Sequence, residues 1–187
     1  MNYRYFRMTF TFLFAVLIGC ENIIDHPTPP YQIDESLGYF PINIENNWHY
    51  KSEHNSFNHS VIVETKTIIN GTEYFILSTL GEHSYPDTIR IEDNIVWKFT
   101  NNEEVVWFNF NLENNSVYQY NSYNVRVETG IREETYIGEF TNCIAFYFDI
   151  PEIADEEIGY VFAKGLGIVR IPGAWNDLKL SSFNVNK

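Results

Sequence analysis

Three features of this 187-residue chain predict an all-β fold. Ile and Asn occur 21 times each while Ala occurs five times, and 32 residues are aromatic. β-branched and aromatic side chains suit a pleated, half-buried surface, whereas scarcity of Ala removes the best helix former. Short apolar runs recur from Tyr39 onward, many alternating in-out along the chain. Between them stand turn pairs, of which Asn70-Gly71 is the strongest, because a type I′ turn needs positive φ at both central residues.

Taken in order, Trp48-His49-Tyr50-Lys51 alternates large apolar with polar, and Val61, Val63 and Thr65 alternate with Ile62, Glu64 and Lys66. Tyr74 to Leu80 follows the Asn-Gly pair; Thr88 to Glu92 and Ile95 to Thr100 are joined by Asp93-Asn94. Val105 to Phe110 follows Asn101-Asn102, then come Val117 to Tyr120, Tyr123 to Thr129 and Glu134 to Ile137, with Glu133-Glu134 read as a strand end or turn. Cys143 to Ile150, Ile158 to Ala163, Ile168 to Ile171 and Leu178 to Val185 complete the series. Such a succession, about ten to twelve strands, implies an antiparallel meander. A sheet that long curls or folds over to remove its edges, so a barrel-like sheet is expected, with a β-sandwich as the alternative. Runs apolar on both alternating sets, such as Tyr74 to Leu77, imply some strands covered on both faces.

The N-terminus carries an address. Arg4 and Arg7 precede an uncharged apolar run from Met8 to Ile18, followed by Gly19 and Cys20, which is the layout of a secretory signal. The run is too short to cross a ~30 Å hydrocarbon core. Leu17-Ile18-Gly19-Cys20 resembles the bacterial lipobox, which implies a lipidated cysteine as the mature N-terminus. The expected organisation is a signal peptide over 1–19, a lipidated N-terminus and proline-bearing tether over 20–38, and one β-domain over 39–187. Loss of residues 1–19 removes two arginines and no acid, taking the net charge from −13 to −15. That acidity argues against nucleic acid and against a polybasic membrane contact.

Tyr39-Phe40-Pro41-Ile42 with Asn46-Asn47-Trp48-His49-Tyr50, and then Tyr160 through Val169 around Lys164-Gly165-Leu166-Gly167, resemble the opening and closing segments of uncharacterised Bacteroidota-type lipoproteins. The resemblance implies a secreted β-domain and no particular reaction. Asn46 stands where that pattern carries Gly, which implies either a left-handed Asn or a different turn.

Chemistry-bearing motifs are sparse. Cys143 lies in an apolar run with no basic residue within ten positions, so it reads as a buried hydrophobe and not a nucleophile. His54 and His59, with Glu53 near, have ligand types suited to Zn²⁺ or Cu²⁺, but their spacing matches no established site and no metal is assigned. The acids from Asp149 to Glu157 lack the spacing and central Gly of a calcium loop. No nucleophile elbow, zinc-protease helix or phosphate loop is present, so no catalytic residue and no cofactor is assigned. Trp48, Trp97, Trp107 and Trp175 are candidates to line a ligand cavity or surface strip, and Thr88 in Asp87-Thr88-Ile89 is a candidate O-glycosylation acceptor. The resulting expectation is a non-enzymatic envelope lipoprotein of the outer membrane. It would bind a small apolar ligand, a glycan or another envelope protein; an assembly accessory and a hydrolase with scattered residues are the alternatives.

Overall fold

In a computed structural model the described residues are 32–78, 86–151, 153, 157–173 and 176–186. Twelve strands follow a short 3-10 turn at Glu35–Leu37: β1 (Asn47–Ser52), β2 (Asn58–Ile69), β3 (Thr72–Leu77), β4 (Asp87–Glu92), β5 (Ile95–Thr100), β6 (Glu103–Asn109), β7 (Val117–Tyr120), β8 (Tyr123–Thr135), β9 (Gly138–Asp149), β10 (Ile158–Ala163), β11 (Gly167–Ile171) and β12 (Leu178–Asn184). They form one antiparallel sheet in the order β6-β5-β4-β3-β2-β1-β12-β11-β10-β9-β8-β7. The first and last strands pair, and the sheet curls into a nearly closed barrel with one unsealed seam, between β6 and β7. Across that seam the Tyr118 hydroxyl donates to the Trp107 carbonyl at 2.5 Å.

Asparagine sets the register of the first half. Asn70 and Gly71 take φ of 51° and 84° between the paired residues Ile69 and Thr72. Asp93-Asn94 (53°, 60°) and Asn101-Asn102 (51°, 65°) do the same for β4–β5 and β5–β6. Positive φ at both central residues matches the strand twist, and Asn tolerates it. One expectation is corrected here. The segment 123–137 is not two runs: β8 continues through Gly130 (φ 72°), where a register shift bends the strand without ending it, so Glu133 and Glu134 lie inside β8. Of the two readings of Asn46 the structure has the different turn: the left-handed residue before β1 is Glu45 (φ 74°). Asn46 is buried and used as a linker: Nδ2 donates to the Pro41 carbonyl at 3.2 Å and Oδ1 accepts from Asn186 N at 2.8 Å, joining the two ends of the domain.

Strand periodicity decides the core. On β1, Trp48, Tyr50 and Ser52 are buried while His49 and Lys51 face water. At the centre Phe108, Phe146 and Phe162, each 0 % exposed, meet with ring centroids 4.9, 5.2 and 5.9 Å apart. Both faces are buried over Cys143–Phe146 of β9 and along most of β10 and β11, where Cys143, Ala145 and Val161 back the inward phenylalanines. Cys143 is fully buried, and burial pushes its thiol up to about 12.

One break in the ladder is filled by side chains. The registered pairs between β11 and β12 are Arg170–Lys179 and Ile171–Leu178. Beyond them, Trp48 Nε1 donates to the Leu166 carbonyl at 2.6 Å and the Tyr50 hydroxyl to the Ile168 carbonyl at 3.0 Å. The β8–β9 tip serves β12 in the same way, with Tyr136 N donating to the Leu180 carbonyl at 3.2 Å. Buried backbone acceptors left bare would cost ~1–3 kcal/mol each, so these three groups stand in for ladder hydrogen bonds.

Candidate functional site

The three described tryptophans do not gather. Trp48 is spent on the fold, its indole bonded to Leu166 and its ring 3.0 Å from where a Cβ on Gly167 would stand. Trp107 is 4 % exposed, stacks on Phe108 at 4.7 Å and lies under the Lys98 ammonium, 4.3 Å from the ring centroid. Trp97 is half-buried beneath the Arg90 guanidinium at 5.3 Å. Trp175, Cys20, Glu152, Asp155 and Glu156 lie outside the described residues.

His54 is exposed, and its backbone N–H donates to Ser52 Oγ. His59 is half-buried, packed between Phe57 and Tyr50. Glu53, the third ligand type considered, pairs with Lys179 at 2.9 Å. Among the described residues no group of three His, Cys, Asp or Glu side chains is placed to hold a metal ion. Thr88 is half-buried in β4 opposite Ile76, and Asp87 beside it is buried against Lys98.

Sequence reasoning missed two kinds of arrangement, ion networks and a cleft. The first is an ion network inside the bent end of β8. Arg170 grips Asp177 through Nε–Oδ1 and Nη2–Oδ2, both 2.7 Å, and its Nη1 reaches the Glu133 carboxylate at 2.7 and 3.2 Å. Asp177 first, then Glu133, raises the guanidinium pKa against the opposing effect of burial. Arg170 and Asp177 are seven residues apart, but Glu133 lies 37 residues from Arg170, so no local spacing could have announced the trio. A second network joins Arg90 to Glu104 and Glu92, with the Tyr74 hydroxyl on Glu104 at 2.7 Å. Its bonds from Arg90 and then Tyr74 hold the Glu104 carboxyl below its ordinary value.

The second arrangement is a shallow cleft of about 270 Å³ at one barrel end, lined by Glu35, Ser36, Tyr39, Asn94, Phe110 and Lys164. It lies where the opening and closing sequence segments meet. Phe40 packs on Trp48 and Phe162, and Gly165 N donates to the Gly38 carbonyl at 2.5 Å. A Cβ on Gly165, whose φ is 77°, would stand 2.5 Å from the Asp34 carbonyl oxygen. The Gly-Leu-Gly turn is therefore glycine-bearing for packing, since a neighbouring backbone occupies the side-chain position. Tyr39 stacks on Phe110 at 5.3 Å and 19°, with its hydroxyl donating to the Asn142 carbonyl at 3.4 Å. Burial, then the nearby Cys143 and Glu35, raises the Tyr39 pKa.

No protein-family model matches the chain, nor does any curated protein or solved structure.

Proposed function

We propose that the protein is a lipid-anchored component of the cell envelope, without catalytic activity, that binds its partner on the outside of the barrel. The observation that carries this reading is the packed aromatic centre among the described residues: Phe108, Phe146 and Phe162 are fully buried against one another where a barrel of this size could hold a ligand. Recognition then falls to exterior features, of which the cleft beside Lys164 is one. Membrane attachment rests on Leu17-Ile18-Gly19-Cys20 and favours the outer membrane, because Glu21 follows the cysteine where inner-membrane retention in enteric bacteria uses Asp. A second reading, contact with another envelope protein, is favoured by Phe57 and Tyr136. These rings are 47 % and 52 % exposed, and both residues reach the backbone of Ser52.

Cell fractionation with and without globomycin tests the anchoring. Wild-type protein is expected in the membrane fraction and its uncleaved precursor should accumulate with the inhibitor, whereas Cys20→Ala protein should leave the membrane. A Cys20→Ala protein that still sediments with membranes overturns the anchor. Native mass spectrometry of protein released from its own membrane then reads a retained small molecule against a retained protein.

A further inference from the structure

We infer that the cleft between the Glu35–Leu37 turn and the β10–β11 turn binds a small zwitterion, with Glu35 receiving a primary ammonium and Lys164 an anionic oxygen group. This rests on the reading of the domain as an exterior binding module and names the ligand class for it. The first support is charge. Both side chains line the cleft, and among the described residues neither is in an ion pair. In a chain with 25 acids and 12 basic residues, pairing partners for lysine are plentiful, and Lys66, Lys98 and Lys179 each have one. Lys164 instead stands exposed in the β10–β11 turn and lines the cleft together with Glu35.

The second support is rigidity. The two charges ride on segments locked together by the Gly165–Gly38 hydrogen bond and the contact of Gly165 with Asp34. Asp34 in turn caps the 3-10 turn, accepting from Ser36 N at 3.1 Å and Ser36 Oγ at 2.6 Å. Preorganised groups lose little freedom when a ligand arrives. The third is shape and floor. A volume of about 270 Å³ is below the roughly 300–1,000 Å³ of pockets for drug-sized molecules, so the occupant is small. The stacked Tyr39 and Phe110 rings give a methylene linker an apolar surface, and Asn94 adds an amide at the rim.

Charge balance selects the zwitterion. A lone anion would meet Glu35 and the field of a protein of net charge −13. A lone cation would meet Lys164. Only a molecule carrying both signs satisfies both groups, and a primary ammonium donates hydrogen bonds that a quaternary one lacks. This chemistry is shared by free phosphoethanolamine and by the phosphatidylethanolamine headgroup.

Calorimetric titration of the full-length protein in detergent with phosphoethanolamine is the test. Saturable binding is expected, weakened at least about tenfold in Glu35→Gln and in Lys164→Gln, with inorganic phosphate and ethylamine each at least about tenfold weaker than phosphoethanolamine. Both substitutions are at exposed positions, and unchanged circular dichroism should accompany them. Flotation of Cys20→Ala protein with phosphatidylethanolamine vesicles but not phosphatidylcholine vesicles would place the ligand in the bilayer. Binding of the free compound without flotation would place it in solution, and either result upholds the site. Absence of saturable binding, binding unchanged in both variants, or phosphate binding as tightly as phosphoethanolamine overturns it. Membrane fractionation of the same preparations is an independent readout, so anchored protein that ignores phosphoethanolamine overturns the ligand assignment alone.

Discussion

Tyr50 and Trp48 show how one side-chain atom can replace a piece of backbone. Each is fully or almost fully buried and each donates to a main-chain carbonyl beyond the paired part of β11 and β12. Burial also lifts the Tyr50 pKa well above the ordinary tyrosine value, so the hydroxyl remains a donor. Tyr50→Phe keeps the ring and deletes only that donor. The expected loss is about 1–3 kcal/mol of unfolding free energy, the cost of an unsatisfied buried acceptor, read as a lower urea midpoint with unchanged slope. A midpoint equal to that of the wild type would mean that another group serves Ile168. The inward direction of Trp48 and Tyr50 was legible from simple alternation along β1, as was the burial of Cys143 from its apolar neighbours. What their polar atoms touch was not, because the acceptors lie 118 residues away in sequence.

Hairpins were the most readable elements. Asn-Gly and Asp/Asn-Asn pairs impose positive φ locally, so β2–β3, β4–β5 and β5–β6 could be placed without tertiary information. The bent end of β8–β9 could not, because Gly130 resembles a terminator in sequence and acts as a bulge in the sheet. Beyond the bulge Glu133 is buried with Arg170 as its partner, and Arg170 also holds Asp177. Arg170→Met should destabilise the fold by about 2–4 kcal/mol. That is somewhat below the 3–5 kcal/mol of a fully buried pair, because the arginine side chain is 29 % exposed. Adding Glu133→Leu should recover part of the loss in denaturant unfolding; a double variant less stable than the single one would refute the account.

The Arg90–Glu104–Tyr74 network joins β3, β4 and β6, and it links stability to acidity. Glu104 has a folded pKa below its unfolded value of about 4.3. Its contribution is therefore complete above that value, falls as pH drops through the lower folded pKa, and is absent beneath it. Urea midpoints of wild type and Glu104→Gln should differ at pH 7 and converge in acid. A gap that persisted to the lowest pH would exclude the carboxylate as its source. The cleft, like the networks, was not legible as a site. Its Tyr39 and Lys164 belong to the two sequence segments singled out at the start, but their proximity depends on the whole sheet curling.

At the scale of the whole molecule, β1 lies beside β12 through Asn47–Asn184 to Ser52–Leu178, while β6 and β7, neighbours in sequence, form the two edges and do not pair with each other. Closure thus depends on contacts spanning nearly the full domain, and those form late because a long loop must first be closed. The alternation and turn signals foretold a curled meander, and the structure has one. They carried no sign of where it would stay open, since that is set by how far the last strands reach around the shared core. Because the residues flanking β1 and β12 are already bridged by Asn46 and Asn186, the polypeptide could be rewired as a circular permutant. Joining its old ends and opening the 111–116 connection would turn the most distant pairing into an ordinary hairpin and leave every ladder intact.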